Sequence, residues 1–184
     1  MASIKWVADL THSEVKFKVK HLMLTTVSGY FRSFDVEALT PDAAFTGVES
    51  LVFTAEVDSI STNNAQRDTH LKSADFFDAA QHSQVRFVAT EYEQVSGEKY
   101  KLLGELSIRG ITRPVALDVA YGGTVVDPYG QTKAGFSVHG KLSRKEFGLT
   151  WNAVTEAGSV VVSNEIKLHA EVQLVKQVPY PAWN

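Results

Sequence analysis

Apolar residues in this chain are seldom neighbours in sequence; they alternate with polar ones. From Ser13 to Lys20, Val15, Phe17 and Val19 hold one parity while Glu14, Lys16, Lys18 and Lys20 hold the other. A period of two places the two sets on opposite faces of a β-strand, one half-buried and one charged. The signature recurs at Leu51-Phe53-Ala55-Val57, at Val85-Phe87-Ala89, and at Leu102-Leu106-Ile108 with Gly104 between. It returns at Val115-Leu117-Val119-Tyr121 and at Ala134-Phe136-Val138-Leu142, and is longest at Ile166-Leu168-Ala170-Val172-Leu174.

Turn-forming residues punctuate these runs: Ser96-Gly97-Glu98, Gly110 to Pro114, Gly122-Gly123, Asp127-Pro128-Tyr129-Gly130 and Glu156-Ala157-Gly158. Short alternating segments joined by tight turns predict an antiparallel, all-β fold of about seven or eight strands, because parallel strands would need crossover helices. That number suits a sandwich or an up-and-down barrel. Two stretches break the alternation. His21 to Val27 reads as a helical turn. Asn63 to Ala80 is polar, has Asn63 or Asn64 available as an N-cap, and offers Ser73 as the cap of a second short helix before Phe76-Phe77. The prolines in Val178 to Trp183 mark a tail, so the expected domain is single, with its core at about 4–176 and residues 177–184 outside it.

Composition narrows the function classes. The chain has 184 residues, 44% of them hydrophobic, yet no apolar run exceeds three residues. No stretch therefore resembles a membrane-spanning helix or the apolar core of a leader peptide. A net charge of -3 gives no general basic surface for nucleic acid. With no cysteine, thiolate metal sites and thiol nucleophiles are excluded. The six histidines form neither an HxH pair nor an HExxH helix, so no metal site is expected. Gly135 to Lys141 fits GxxxxGK, but Leu142 lacks the hydroxyl that magnesium needs, and the stretch has strand parity. Lys16, Lys18 and Lys20 line one side of the first strong strand and read as protection of an exposed edge. The inward parity sets combine Phe17, Phe53, Phe87 and Phe136 with the small residues Ala55, Ala89, Gly104, Ala134, Gly140 and Ala170. Residue types alone leave a solid core and a hollow one equally open.

Three groups of residues resemble the YceI-like polyisoprenoid-binding family. The first runs from Trp6 through Asp9, His12-Ser13 and His21-Leu22 to Gly29 and Phe31. The second holds Thr62-Asn63, Arg67-Asp68, His70-Leu71 and Asp75-Phe76-Phe77. The third holds Gly104, Gly110, Pro114-Val115, Arg144, Phe147-Gly148 and Trp151-Asn152. The likeness covers about Trp6 to Val175; Ala8 departs from it, standing where a larger aliphatic residue is usual. The resemblance implies an extended eight-stranded, lipocalin-like antiparallel barrel with short helical insertions. It also implies a hollow interior holding a polyprenyl or quinone lipid, with no further cofactor.

On that reading the lipid chain is expected against Phe17, Val19, Leu22, Val27, Phe31, Leu51 and Phe53, and against Ala55, Phe76, Phe77, Phe87, Ala89, Leu106 and Phe136. Arg67, Asp68 and His70 are expected to hold the head group, with an Arg67–Asp68 network that braces the insertion as the structural alternative. The resulting expectation is non-enzymatic binding, carriage or storage of an isoprenoid lipid, with no catalytic residue. The rival is an enzyme on an apolar substrate with His70 and Asp75 as acid and base; a weaker alternative is a solid-cored interaction module. A homodimer is compatible with the sequence. Many members carry a secretory signal, whereas this chain opens Met1-Ala2-Ser3-Ile4, so a cytoplasmic location is expected, or a periplasmic one after cleavage.

Overall fold

The computed structural model describes residues 2–153 and 161–178, so Glu156-Ala157-Gly158 and the tail beyond Val178 lie outside the described residues. Among the described residues, eleven antiparallel strands form one sheet that closes on itself. They are β1 (Ile4–Ala8), β2 (Glu14–His21), β3 (Thr25–Phe31), β4 (Phe34–Thr40), β5 (Ser50–Glu56), β6 (Ile60–Ser61), β7 (Gln84–Ser96), β8 (Lys99–Ile108), β9 (Ile111–Val126), β10 (Thr132–Ser143) and β11 (Glu165–Lys176). Eight of them make the ring, β1-β4-β5-β7-β8-β9-β10-β11 and back to β1. The fold is therefore a closed eight-stranded antiparallel β-barrel.

β11 is the hinge of this topology because two strands share its length. Its C-terminal end pairs with β1, Ala8 opposite Leu174, and its N-terminal half pairs with β2, Phe17 opposite Leu168. Between β1 and β2 the chain makes one 3-10 turn over Leu10–His12, capped by Asp9. Toward one end, the floor, the ring is complete. Toward the other, the mouth, the wall continues from β11 through β2 and β3 and stops at the two-residue β6. The remaining gap is covered by α1 (Ala65–Lys72) and the turns after it. Asn64 caps α1 by accepting a hydrogen bond from the Arg67 amide, and the Phe77 ring packs edge-on against Phe31 of β3. On the far side Arg109, in the β8–β9 turn, donates to the Phe76 carbonyl at 2.9 Å.

Several local expectations are corrected. His21 to Val27 is no helical turn but the tight β2–β3 hairpin turn, with Leu22-Met23-Leu24 at its tip. Ser73 caps no second helix: residues after it form successive turns, with Ser73 Oγ donating to the His70 carbonyl. Gly110 to Pro114 is not all turn, since β9 already begins at Ile111. Pro114 is tolerated because β10 reaches β9 only from Asp118 onward, leaving that stretch an edge where a missing N–H costs nothing. Gly122-Gly123 is a bulge within β9; Gly123 has φ 107° and the register with β10 slips there. β2 is hydrogen-bonded on both sides, by β11 and β3, so its lysines protect no edge.

Candidate functional site

The inward faces of the strands do not meet. They enclose a cavity of about 460 Å³ that runs from floor to mouth and is lined almost wholly by apolar side chains. That volume lies within the range of small-molecule sites. β11 supplies one continuous wall: Ile166, Leu168, Ala170, Val172 and Leu174 all face in. Eight residue steps at about 3.3 Å make that wall about 26 Å long.

Aromatic packing closes the floor. Phe45 packs tilted against Trp6 at 4.7 Å and edge-on against Phe136 at 4.8 Å between ring centroids, and Tyr121 packs beside both Phe45 and Phe136. Trp6 is wholly buried, and its Nε1 donates to Thr40 Oγ1 at 2.8 Å, so the indole N–H keeps a partner in the core. Asp9, Lys133 and Asp127 brace the outside of this end. Lys133 Nζ donates to Asp9 at 2.7 Å, and that bond holds the Asp9 carboxyl well below the usual carboxylate range.

Most of the residues expected to line a lumen do so. Phe17, Val19, Val27 and Phe31 contribute from β2 and β3; Leu51, Phe53, Phe87, Leu106 and Phe136 from the ring; Phe76 and Phe77 from the covering segment. Three do not. Leu22 stands in the hairpin turn at the rim. Ala55 is packed solid between Phe34 and Val85 on its neighbouring strands, and Ala89 lies against the core without reaching the cavity. Two inward glycines are already filled rather than open. A Cβ on Gly104 would fall 2.4 Å from the Phe87 ring, and one on Gly140 2.6 Å from Leu117. The hollow comes from barrel geometry and from Ala170, not from every small residue.

One lining residue is hidden from parity reasoning. A bulge in β7 between Ala89 and Glu91 shifts the register, so Tyr92 turns inward although Val85 and Phe87 have the opposite parity. Tyr92 stacks flat on Tyr100 at 4.5 Å, and its hydroxyl is buried with no hydrogen-bond partner among the described residues. Burial pushes the pKa of that phenol upward.

Cationic groups gather at the mouth. Arg67 donates from Nε to Thr62 Oγ1 at 2.7 Å and from Nη2 to the Thr62 carbonyl at 2.8 Å. Asp68 accepts from the Thr62 amide and hydroxyl, so Arg67 and Asp68 brace the insertion through one shared threonine. Arg67 also lines the cavity, whereas Asp68 does not. His70 wedges between Phe76 and Trp151, ring centroids 5.1 and 4.7 Å away, and its Nε2 lies 2.9 Å from Asp75.

Arg144 is a mouth residue whose burial its sequence context does not announce. It is 3% exposed and pairs with no carboxylate among the described residues. Instead it donates to four backbone carbonyls, those of Leu149, Trp151, Val162 and Ser163, at 2.6 to 3.2 Å. Burial lowers its pKa. Asn152 completes the same corner, donating to the Val162 carbonyl and accepting from the Val161 and Val162 amides. His139 and His169 stack on each other across β10 and β11, and among the described residues no three metal-ligating side chains converge.

The YceI-like domain family matches residues 6–174. A UPF0312 protein of Staphylococcus epidermidis is 34% identical over 172 residues, spanning 92% of this chain and 96% of that one. A UPF0312 protein of Pectobacterium carotovorum is 35% identical over 176 residues, spanning 96% and 88%. Among solved structures, the Campylobacter jejuni YCEI protein is similar with a TM-score of 0.75 at 31% identity, covering 86% of this chain and 90% of its own. A polyisoprenoid-binding domain from Saccharophagus degradans shares the fold, with a TM-score of 0.66 at 12% identity over 94% and 98% of the two chains.

Proposed function

Since this chain belongs to the YceI-like domain family, we propose that its barrel binds an isoprenoid lipid and carries or stores it unchanged. The polyprenyl chain occupies the cavity, and its head group, a phosphate or a quinone ring, sits at the mouth beside Arg67 and His70. The observation that carries this reading is the division of the site: an almost wholly apolar wall about 26 Å long, with the two arginines that line the cavity, Arg67 and Arg144, both at its open end. Burying about 15 carbons at about 0.8 kcal/mol each contributes on the order of 10 kcal/mol before the costs of association. Binding of that strength needs no covalent chemistry. Arg67 uses Nε and Nη2 on Thr62, and its Nη1 has no protein partner among the described residues, which fits a planar donor left for phosphate or carbonyl oxygen.

The same reading predicts a head-group preference. Arg67→Gln should weaken a polyprenyl phosphate by about ten- to a hundredfold, the loss of a charged hydrogen bond, while leaving the matching polyprenyl alcohol unaffected. Equal weakening of both lipids would move the head elsewhere, and failure of the unaltered protein to bind either would overturn the lipid reading. The hydrogen-bonded His70–Asp75 pair supports a rival, acid–base chemistry on the same lipid. Carriage predicts that the bound lipid is recovered with its mass unchanged after long incubation; turnover that His70→Ala abolishes would favour the rival.

A further inference from the structure

We propose that the mouth of the barrel docks on an anionic phospholipid bilayer, through the Leu22–Leu24 turn and the lysine row on the strands beside it. The turn is the first observation. Leu24 N donates to the His21 carbonyl at 3.0 Å, closing a four-residue turn whose central residues, Leu22 and Met23, have φ 54° and 57°. Both central residues are thus in the left-handed region, where hairpins place Asn and Gly because side chains crowd the backbone. Here the positions hold two bulky apolar residues, and the core does not claim the tip. Met23 is 62% and Leu24 79% exposed. Apolar side chains held in a strained turn and pointed at solvent fit insertion into an interface.

The second observation is a charge pattern that the fold itself does not explain. Lys18 on β2 stands opposite Lys167 on β11, which stands opposite Lys141 on β10. Like charges directly across a ladder destabilise it. All three are exposed, as is Lys20 at the rim, and among the described residues no carboxylate reaches ion-pair distance of any of them. On the mouth-side halves of these strands Glu165 is the one carboxylate. β2 is no sheet edge, so edge protection does not account for its lysines. From Lys18 to His21 is about 10 Å along the strand, close to one Debye length in physiological salt, so a surface meeting Met23 falls within their electrostatic reach.

Lysines alone would suit any polyanion. The apolar tip, and its place beside a lipid-sized cavity mouth lined by His21 and Val161, select the bilayer. That choice of partner rests on the reading of the cavity given above, although the docking itself can be measured without it.

The test is sedimentation with phosphatidylcholine vesicles, with and without phosphatidylglycerol. The unaltered protein should favour the anionic vesicles, and salt at about 0.5 M should remove the preference. Lys18→Gln and Lys167→Gln should each weaken anionic binding about fivefold. Met23→Ser with Leu24→Ser should weaken binding to both vesicle types, with an unchanged melting temperature. Equal binding to both vesicle types, an inert tip variant, or binding of a single-stranded oligonucleotide without vesicles would each overturn the proposal. A variant with its cavity blocked at Ala170 should still dock. Docking without lipid uptake in the unaltered protein would count against the cavity reading alone; uptake without docking would count against this one.

Discussion

Ala170→Trp tests whether the interior is a tunnel rather than a core. Ala170 lies midway along the β11 wall, between inward-facing Leu168 and Val172, with Val138 and Val15 opposite it on the neighbouring strands. An indole there leaves about four residue steps, roughly 13 Å, between itself and Ile166 near the mouth. A polyprenyl chain that now crosses that level must give up at least one five-carbon unit, about 4 kcal/mol at about 0.8 kcal/mol per carbon, or roughly a thousandfold in affinity. Stability separates this outcome from simple damage. In a filled core the added ring costs about 1–3 kcal/mol or more through strain, whereas in open space it meets the opposite wall and costs little. The assay is native mass spectrometry of protein mixed with a four-unit polyprenyl alcohol, beside a thermal melt. Lost loading with a melting temperature within a few degrees of the unaltered protein is the expected result. Full loading would show that the chain never passes Ala170, and a collapse in stability would show that this level is solid.

Three further predictions concern the frame. Tyr92→Phe removes a buried hydroxyl that has no partner, so it should raise stability by about 1 kcal/mol, read as a higher denaturant midpoint at constant slope; a drop would show that the hydroxyl is satisfied. Arg144→Met leaves four carbonyls at the mouth without their donor and should cost about 3 kcal/mol or more, while an unchanged midpoint would deny that Arg144 organises that corner. The depressed pKa of Asp9 stabilises the fold above its unfolded value, near pH 4, and that contribution is lost as pH falls through the folded value. Asp9→Asn should therefore lower the melting temperature at neutral pH and flatten its fall below about pH 4; identical acid profiles would refute the role of the Asp9–Lys133 pair.

Strand parity made much of this molecule readable from the sequence. Val15, Phe17 and Val19, and the five inward residues of β11, have the alternation that their position on the cavity wall requires. Parity fails where the backbone departs from period two. The β7 bulge re-aims Tyr92, and the β2–β3 turn removes Leu22 from the wall. Parity is also silent on depth: Ala55 and Ala170 have the same inward signature, but only three-dimensional packing decides that one is sealed behind Phe34 and Val85 while the other faces space. Size misleads too, since Gly104 and Gly140 look like vacancies and are occupied by neighbouring side chains. Arg67 enters as a head-group candidate only through the resemblance; its bond to Thr62 five residues back, and those of Arg144 to the Leu149 and Trp151 carbonyls five and seven residues on, are side-chain contacts of loop segments that strand alternation does not encode.

The most direct measurement is native mass spectrometry of the protein purified under gentle conditions, followed by extraction and mass analysis of what it holds. An apolar cavity of this size, open to a cationic mouth, predicts a stoichiometric adduct whose extracted mass fits a polyprenyl or isoprenoid-quinone species. A protein that arrives empty and takes up no polyprenyl lipid when one is offered would contradict it.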